Sequence, residues 1–238
     1  MKSLIVGFTK TEKNAVSKWL ASANNPNLVF LKTRGKGLKP LLTALANYLN
    51  IHADVDRVYG FGLAGTIHPA KRMNVGDFVV VVSADRFLKN VTHRIHAKVR
   101  GVSPTKRALK HLRAAAARLG SKRGAFTRTP SVHRGRSATL AWFPRDRQWV
   151  NLCSFYQRQR SAGYVVGEME DYHIFDFLRR YNSQNRTNVS YYPIRVVSNL
   201  LRPAPGKTIK SEYDQVKKRL SKWAVKILAA FTNRGRFP

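Results

Sequence analysis

Two acidic side chains stand two positions apart in the run Gly167-Glu168-Met169-Glu170. The run follows a buried-type apolar stretch at 163–166 and precedes helical apolar spacing at 171–180. Carboxylates where a strand gives way to a helix can accept hydrogen bonds from the hydroxyl groups of a small ligand. In a chain with only 12 acidic residues, the run therefore indicates a small-molecule pocket.

Three other segments carry residues suited to the same pocket. Glu12 follows the apolar start of the chain, five residues after Gly7. The segment Gly62-Leu63-Ala64-Gly65 combines small residues, and glycine lets a backbone approach a ligand closely. The segment Arg195-Val196-Val197-Ser198-Asn199 begins 25 residues after Glu170 and offers a cation, a hydroxyl and an amide.

Alternating strands and helices must position these segments. Apolar runs predict strands at 4–7, 28–31, 57–62, 78–82, 163–166 and 191–197. Helical spacing predicts helices at 10–23, 38–49, from 103 onward, at 171–180 and at 209–231. This alternation is typical of an α/β fold with a largely parallel sheet.

The three motif blocks resemble, in order, those of the nucleoside phosphorylase superfamily, which includes the methylthioadenosine/adenosylhomocysteine nucleosidases. The blocks are Gly7 with Glu12, then Gly62 to Ile67 with Val75-Gly76-Asp77, then Glu168-Met169-Glu170 with Arg195 to Asn199. The resemblance implies a three-layer α/β sandwich, in which helices flank a mixed, largely parallel central sheet. It also implies a homo-oligomer and one domain over 1–238, with a divergent basic insertion at about 88–160.

The resemblance assigns roles to these residues. Glu12 would activate water, and Glu170 and Met169 would face the ribose of a purine nucleoside. Asn199 would contact the purine. The other ligand-binding positions would be Gly62, Ala64, Gly65, Glu168, Arg195 and Ser198.

Asn199 departs from the pattern of the hydrolytic members, which have aspartate at this position. An amide can donate a hydrogen bond to the base but cannot protonate it. The resemblance implies no cofactor and leaves inorganic phosphate open as a co-substrate. His93 and His96 have no nearby cysteine or carboxylate cluster, so we expect no metal site.

The charge of the chain points to a different partner. Lys and Arg number 44 against 12 acidic residues, which gives a formal net charge of +32. Between Arg86 and Arg160 there are 19 basic residues and one acid, Asp146. Such a density favours nucleic acid, with RNA preferred, over a membrane surface. The predicted contacts are Lys106, Arg107, Lys110, Arg113, Lys122, Arg123, Arg128, Arg134, Arg136, Lys217, Lys218 and Lys222.

Three functions therefore remain open from the sequence. The leading hypothesis is a nucleic-acid-binding protein built on a nucleosidase-like fold. The alternatives are an active purine nucleosidase or phosphorylase, and a basic structural component of a ribonucleoprotein or viral assembly. The single cysteine, Cys153, and the lack of a run of ~20 apolar residues predict a soluble intracellular protein without an intramolecular disulfide, either cytoplasmic or within a nucleoprotein assembly.

Overall fold

A computed structural model describes residues 2–23, 25–33, 37–67, 73–88, 94–120, 129–140, 146–159, 163–200 and 209–232. The side chains of some residues within the helices and strands, Asn199 among them, lie outside the described part. In the part that is described, none of the helices combines the length and the apolar character needed to cross a membrane.

Strands and helices alternate along most of the chain. The strands are β1 (Lys2–Gly7), β2 (Leu28–Phe30), β3 (Val55–Thr66), β4 (Phe78–Phe87), β5 (Ala97–Arg100), β6 (Val132–Leu140), β7 (Tyr164–Glu168) and β8 (Ser190–Leu200). The helices are α1 (Lys10–Ala23), α2 (Leu38–Ile51), α3 (Lys106–Gly120), α4 (Asp146–Arg158), α5 (Asp171–Asn185) and α6 (Ile209–Thr232).

The eight strands form one mixed sheet. The strand order is β2-β1-β3-β7-β6-β4-β5, and β8 pairs with both β3 and β4. Parallel pairing joins β1 to β2 and β3, β3 to β8, β4 to β6 and β6 to β7. The pairs β3–β7, β4–β5 and β4–β8 are antiparallel. As a result β3, β8, β4, β6 and β7 pair around a closed ring.

Helices cover the two faces of the sheet. On one face, α2 contributes Leu41 and Leu45 to a core cluster shared with Ile174 and Leu178 of α5. In a second cluster, side chains of α1, α3 and α6 pack on strands β1, β3, β4 and β8. These layers confirm the predicted α/β sandwich with a mixed, largely parallel sheet.

The basic middle of the chain contains more regular structure than its composition indicates. Residues 120–148 are rich in Gly, Ser, Pro and Thr, but β6 lies within them and pairs with β4 and β7. The aromatic residue Tyr156 is buried in α4, where its hydroxyl donates to Asp85 at 2.7 Å. Tyr156 is therefore a core residue.

Candidate active site

The junction between β7 and α5 brings Glu168 and Glu170 together. The Glu168 carboxylate accepts the backbone N–H of Glu170 at 2.5 Å and that of Asp171 at 2.7 Å. The first N–H groups of a helix lack partners within the helix, and its dipole favours a negative charge beside them. Glu168 therefore fixes the start of α5 and, with it, the backbone of Glu170.

The guanidinium of Arg195, on β8, is the cation shared by the acidic residues. Arg195 is 1% exposed. Its Nε lies 3.1 Å from Oδ2 of Asp171, and its Nη2 lies 2.5 Å from Oδ1, which is a bidentate pairing. The same Nη2 lies 3.5 Å from Oε2 of Glu168 and 3.7 Å from Oε2 of Glu170. Three carboxylates thus face one cation.

This arrangement changes the protonation of both glutamates. Burial raises the pKa of Glu168 to about 7, and the charge of Asp171 adds to the rise. Burial raises the pKa of Glu170 to about 8, with further contributions from the carboxylates of Glu168 and Glu12. Arg195 opposes the rise in the pKa of both groups. Near neutral pH, bound protons therefore remove part of the excess negative charge of the cluster.

Four residues of this cluster were missed by the sequence analysis. Besides Asp171, the Tyr191 hydroxyl donates to Oδ1 of Asp171 at 3.0 Å, and the Thr139 hydroxyl donates to Oε1 of Glu168. Arg195 also lies over the ring of Phe8, 4.5 Å from its centroid.

Two signals in the sequence point to members of this group. Asp171 follows Glu170 directly and is another of the few acids. Tyr191 lies four residues before Arg195, which places both side chains on the same face of a strand.

Glu12 is held by backbone groups from two elements. Its Oε2 accepts the N–H groups of Phe8 at 3.0 Å and Thr9 at 2.7 Å, and its Oε1 accepts the N–H of Leu63 at 2.9 Å. The Thr9 hydroxyl in turn accepts the Glu12 N–H at 3.3 Å, which completes a capping box at the start of α1. A carboxylate has about four acceptor sites, so one remains for a further donor.

Gly62 lies between Glu12 and Arg195. A Cβ atom at this position would lie 2.5 Å from Nη1 of Arg195 and 3.0 Å from Oε1 of Glu12. The first separation is too short for non-bonded atoms and the second is tight, so any larger residue would displace the Arg195 guanidinium and crowd Glu12. Glycine here is what lets β3 run beside both of them.

A small cavity opens beside Glu170. The Glu170 side chain is 18% exposed. Lys13 also reaches the cavity, where its Nζ donates to the Thr33 hydroxyl at 2.6 Å. The cavity is lined by Gly7, Phe8, Lys13, Thr33, Gly37, Leu38, Leu41 and Glu170. The carboxyl of Glu170 therefore borders a cavity of about 30 Å³, which is room for a water molecule.

The other predicted pocket residues lie on strands around this cluster or next to Glu170. The Ser198 hydroxyl donates to the carbonyl of Ala64 at 3.2 Å, which links β8 to β3. Asn199 is paired with Gly65 in the same two strands, although its side chain lies outside the described residues. Met169 is 40% exposed beside Glu170.

The predicted nucleic-acid contacts fall into separate groups. Lys106, Arg107, Lys110 and Arg113 are exposed on α3, and Lys218 and Lys222 are exposed on α6. Arg134 is also exposed and donates to the Ser103 hydroxyl at 2.7 Å. Lys122, Arg123 and Arg128 lie outside the described residues.

Two of the predicted contacts already have acidic partners. Arg136 is half-buried and lies 3.4 Å from Asp85, and Lys217 lies 2.5 Å from Asp214. Their charge is partly neutralised within the protein.

The fold is similar to that of known nucleosidases. A 5'-methylthioadenosine/S-adenosylhomocysteine nucleosidase from Borrelia burgdorferi, bound to adenine, is 15% identical, with a TM-score of 0.70 over 98% of this chain and 99% of that chain. The futalosine hydrolase of Helicobacter pylori is 12% identical, with a TM-score of 0.64 over 98% of each chain.

A third similar structure carries a substitution of aspartate by asparagine. It is an aspartate-to-asparagine mutant of the Helicobacter pylori methylthioadenosine nucleosidase, with 5'-methylthioadenosine in its active site. It is 14% identical to this chain, with a TM-score of 0.66 over 98% of each chain.

No protein-family model matches the sequence, and no curated protein matches it. The motif resemblance is nevertheless confirmed at the level of the fold, which is the fold of these nucleosidases.

Proposed function

We propose that the site formed around Glu170, Glu12 and Arg195 binds a purine ribonucleoside and that the protein hydrolyses its N-ribosidic bond. The observation that carries the proposal is the convergence of Glu170, Glu12 and Arg195 beside β3, since these groups come from three distant segments of the chain. Glu12 is close enough to Glu170 for its charge to raise the pKa of that carboxyl. Two acidic groups thus lie close together, of which Glu170 lines the cavity and Glu12 is buried.

The two carboxyl groups suit different steps. Glu170 is partly exposed at the cavity, and its ionised form, which predominates above about pH 8, can accept hydrogen bonds from two ribose hydroxyls. A negative charge there also stabilises the positive charge that develops on the ribose ring as the bond to the base breaks. Glu12 is fixed by three backbone N–H groups and keeps one acceptor site for a water molecule.

The proposed reaction is a displacement by water. The water oxygen forms a bond to C1' of the ribose and passes a proton to the Glu12 carboxylate. The bond between C1' and N9 breaks, and its electron pair leaves with the purine. The purine anion then takes a proton from solvent, and Glu12 returns its proton to solvent.

The side chain of Asn199 should determine which purine base is released. Its amide can donate a hydrogen bond to the departing anion but cannot transfer a proton. Hypoxanthine and guanine carry a carbonyl at C6 that spreads the negative charge, and adenine does not. We therefore propose inosine-type and guanosine-type substrates in preference to adenosine.

The comparisons support the class of ligand. The Borrelia protein is bound to adenine, and the Helicobacter pylori mutant holds 5'-methylthioadenosine in its active site. In that mutant, an asparagine in place of an aspartate leaves a nucleoside in the site. The fold therefore accommodates purine compounds in proteins that resemble this one.

Release of free base tests the proposal. Guanosine, inosine and adenosine are incubated with the protein, with and without inorganic phosphate, and the products are separated by chromatography. We expect release of guanine and hypoxanthine without phosphate, and loss of release in Glu170→Ala. Asp54→Ala, which removes a surface carboxylate paired with Lys2, should retain activity. A strict requirement for phosphate would make the reaction a phosphorolysis, and no release from any substrate would contradict the chemistry.

The net charge favours a second function, binding of nucleic acid. Binding of nucleic acid would use surfaces that are separate from the site around Glu170.

A further inference from the structure

Two neighbouring helices each present a basic stripe to solvent. On α3, the exposed basic residues Lys106, Lys110 and Arg113 follow one another at spacings of three and four residues. On α6, Lys218, Lys222 and Lys226 are exposed at spacings of four. Residues three or four apart lie on the same side of a helix, about 5.4 Å apart along its axis.

The opposite sides of these helices hold them together. Leu112 and Ala116 of α3 belong to the same buried cluster as Leu220 and Ile227 of α6. The two helices also pack directly against each other, so we assign their basic stripes to one region of the surface. Arg107, at the start of α3, is also exposed.

The charge of this surface is not neutralised by the fold. The sequence of α3 contains no acidic residue. Within the described part of the chain, no ion pair involves Lys106, Arg107, Lys110, Arg113, Lys218, Lys222 or Lys226. By contrast, exposed Arg179 and Arg180 of α5 both pair with Asp176. Seven like charges on two packed helices repel one another unless counterions or a polyanion gather beside them.

Small residues next to the cations of α3 leave this surface accessible. Ala114 and Ala117 of α3 are exposed one turn after Lys110 and Arg113, so this side of the helix adds little bulk beyond the cations. Long Lys and Arg side chains can therefore approach an extended partner along both helices. The α3 row contains no acidic residue, and in α6 the acidic residue Asp214, four positions before Lys218, pairs with Lys217. Regular rows of cations match the regular row of phosphates in a nucleic acid.

We infer that the α3–α6 surface, made of these seven residues, binds the phosphate backbone of nucleic acid. Its affinity comes from the release of condensed counterions and is therefore steeply dependent on salt and weakly dependent on sequence. The surface is distinct from the cavity beside Glu170 and does not require the proposed hydrolase activity.

Salt-dependent binding of labelled oligonucleotides tests this inference. Fluorescence anisotropy is measured with an RNA strand and a DNA strand of the same sequence over a series of NaCl concentrations. Two triple variants reverse the charge of one stripe each. The α3 variant combines Lys106→Glu, Lys110→Glu and Arg113→Glu, and the α6 variant combines Lys218→Glu, Lys222→Glu and Lys226→Glu. Each should weaken binding and reduce the steepness of the salt dependence by roughly one for each phosphate-binding side chain replaced, about three in all.

A matched control separates a defined surface from net charge alone. Lys39→Glu with Arg158→Glu and Arg186→Glu reverses three exposed cations on or next to α2, α4 and α5, and changes the net charge by the same amount. This control should retain most of the affinity and the salt slope. Thermal melting of all three variants verifies that they fold.

Each result of these measurements either supports or contradicts binding of nucleic acid by the α3–α6 surface. If the control weakens binding as much as the α3 and α6 variants do, attraction is spread over the whole molecule and the inference is wrong. If vesicles of phosphatidylserine bind with the same affinity and dependence on the stripes, the surface is a membrane-binding one instead. Binding of RNA and DNA with equal affinity supports backbone recognition, and preference for either strand identifies the partner. Because Glu170→Ala leaves the stripes intact, it should bind oligonucleotide as the wild type does, even if no nucleoside is hydrolysed.

Discussion

Arg195 and Asp171 form a buried bidentate ion pair, with Nε 3.1 Å from Oδ2 and Nη2 2.5 Å from Oδ1. The pair joins β8 to the first turn of α5, and Glu168 and Glu170 share the same guanidinium. The orientation of both glutamates therefore depends on a residue that lies on a different strand.

Replacement of Arg195 by methionine should destabilise the fold by about 3–5 kcal/mol, because it leaves buried carboxylates without a cation. The loss should be larger at pH 8 than at pH 6, where more of these carboxyl groups hold protons. Urea unfolding at both pH values measures it. Arg179→Met, which removes an exposed partner of Asp176, should cost less than about 1 kcal/mol. Equal losses for the two variants would contradict the role of Arg195.

The stability of the protein should fall as pH rises from about 4.5 to about 8. The pKa of Glu170 is raised to about 8 in the folded protein, whereas the ordinary value is 4.5. In this interval the folded form retains a proton that the unfolded form releases, so a rise in pH favours unfolding. Glu168, with its pKa raised to about 7, acts in the same direction.

The variant Glu170→Gln should flatten this pH dependence and melt at a higher temperature than the wild type at pH 8. Melting curves recorded from pH 5 to pH 8 measure the difference. A wild-type melting temperature that rises over this interval would show that the glutamates are not buried in the way described.

A methyl group at position 62 should disable the site. In Gly62→Ala, the new Cβ would contact Nη1 of Arg195 at 2.5 Å, and we expect lower stability and loss of nucleoside binding. Gly7→Ala is a control for stability, because its Cβ would meet no atom closer than 3.6 Å. Thermal melting and titration calorimetry with inosine test the pair. An unchanged melting temperature in Gly62→Ala would mean that Arg195 moves aside at no cost.

Asn199→Asp should extend activity to adenosine. An aspartic acid at this position can supply the proton that a departing adenine needs, which an amide cannot do. Adenine release at pH 6, measured by chromatography, should increase by about 100-fold or more, which is the usual contribution of general acid catalysis. If adenine release stays at the level of the starting protein, Asn199 does not contact the base.

The sequence was sufficient to identify several charged residues of the site but not the ion pairs and hydrogen bonds between them. Glu168, Glu170 and Arg195 stand out because acidic residues are few and the motif order is specific. The pairing of Asp171 with Arg195 and Tyr191 depends on how β8 aligns with α5 across the sheet, and no local pattern encodes that alignment.

The strand β6 shows a second limit of sequence reasoning. Its residues His133, Arg134 and Arg136 break the apolar pattern expected of an inner strand. In the fold, Arg136 pairs with Asp85, and His133 lies 3.4 Å from Oδ2 of Asp77. The acidic partners of these basic residues belong to β4 and the turn before it. They are distant in sequence from β6, so the local sequence of the strand does not predict the pairing.

The closed ring of strands has a consequence for biosynthesis. β3 pairs in parallel with β8, and its residue Arg57 lies opposite Ser190. A ribosome must therefore add more than half of the chain before β3 finds this neighbour, and contacts of such long range form slowly. Until then the edge of β3 is open to pairing with other nascent chains. The strong positive charge of the chain makes such chains repel one another during this interval, so it protects the protein before it has folded.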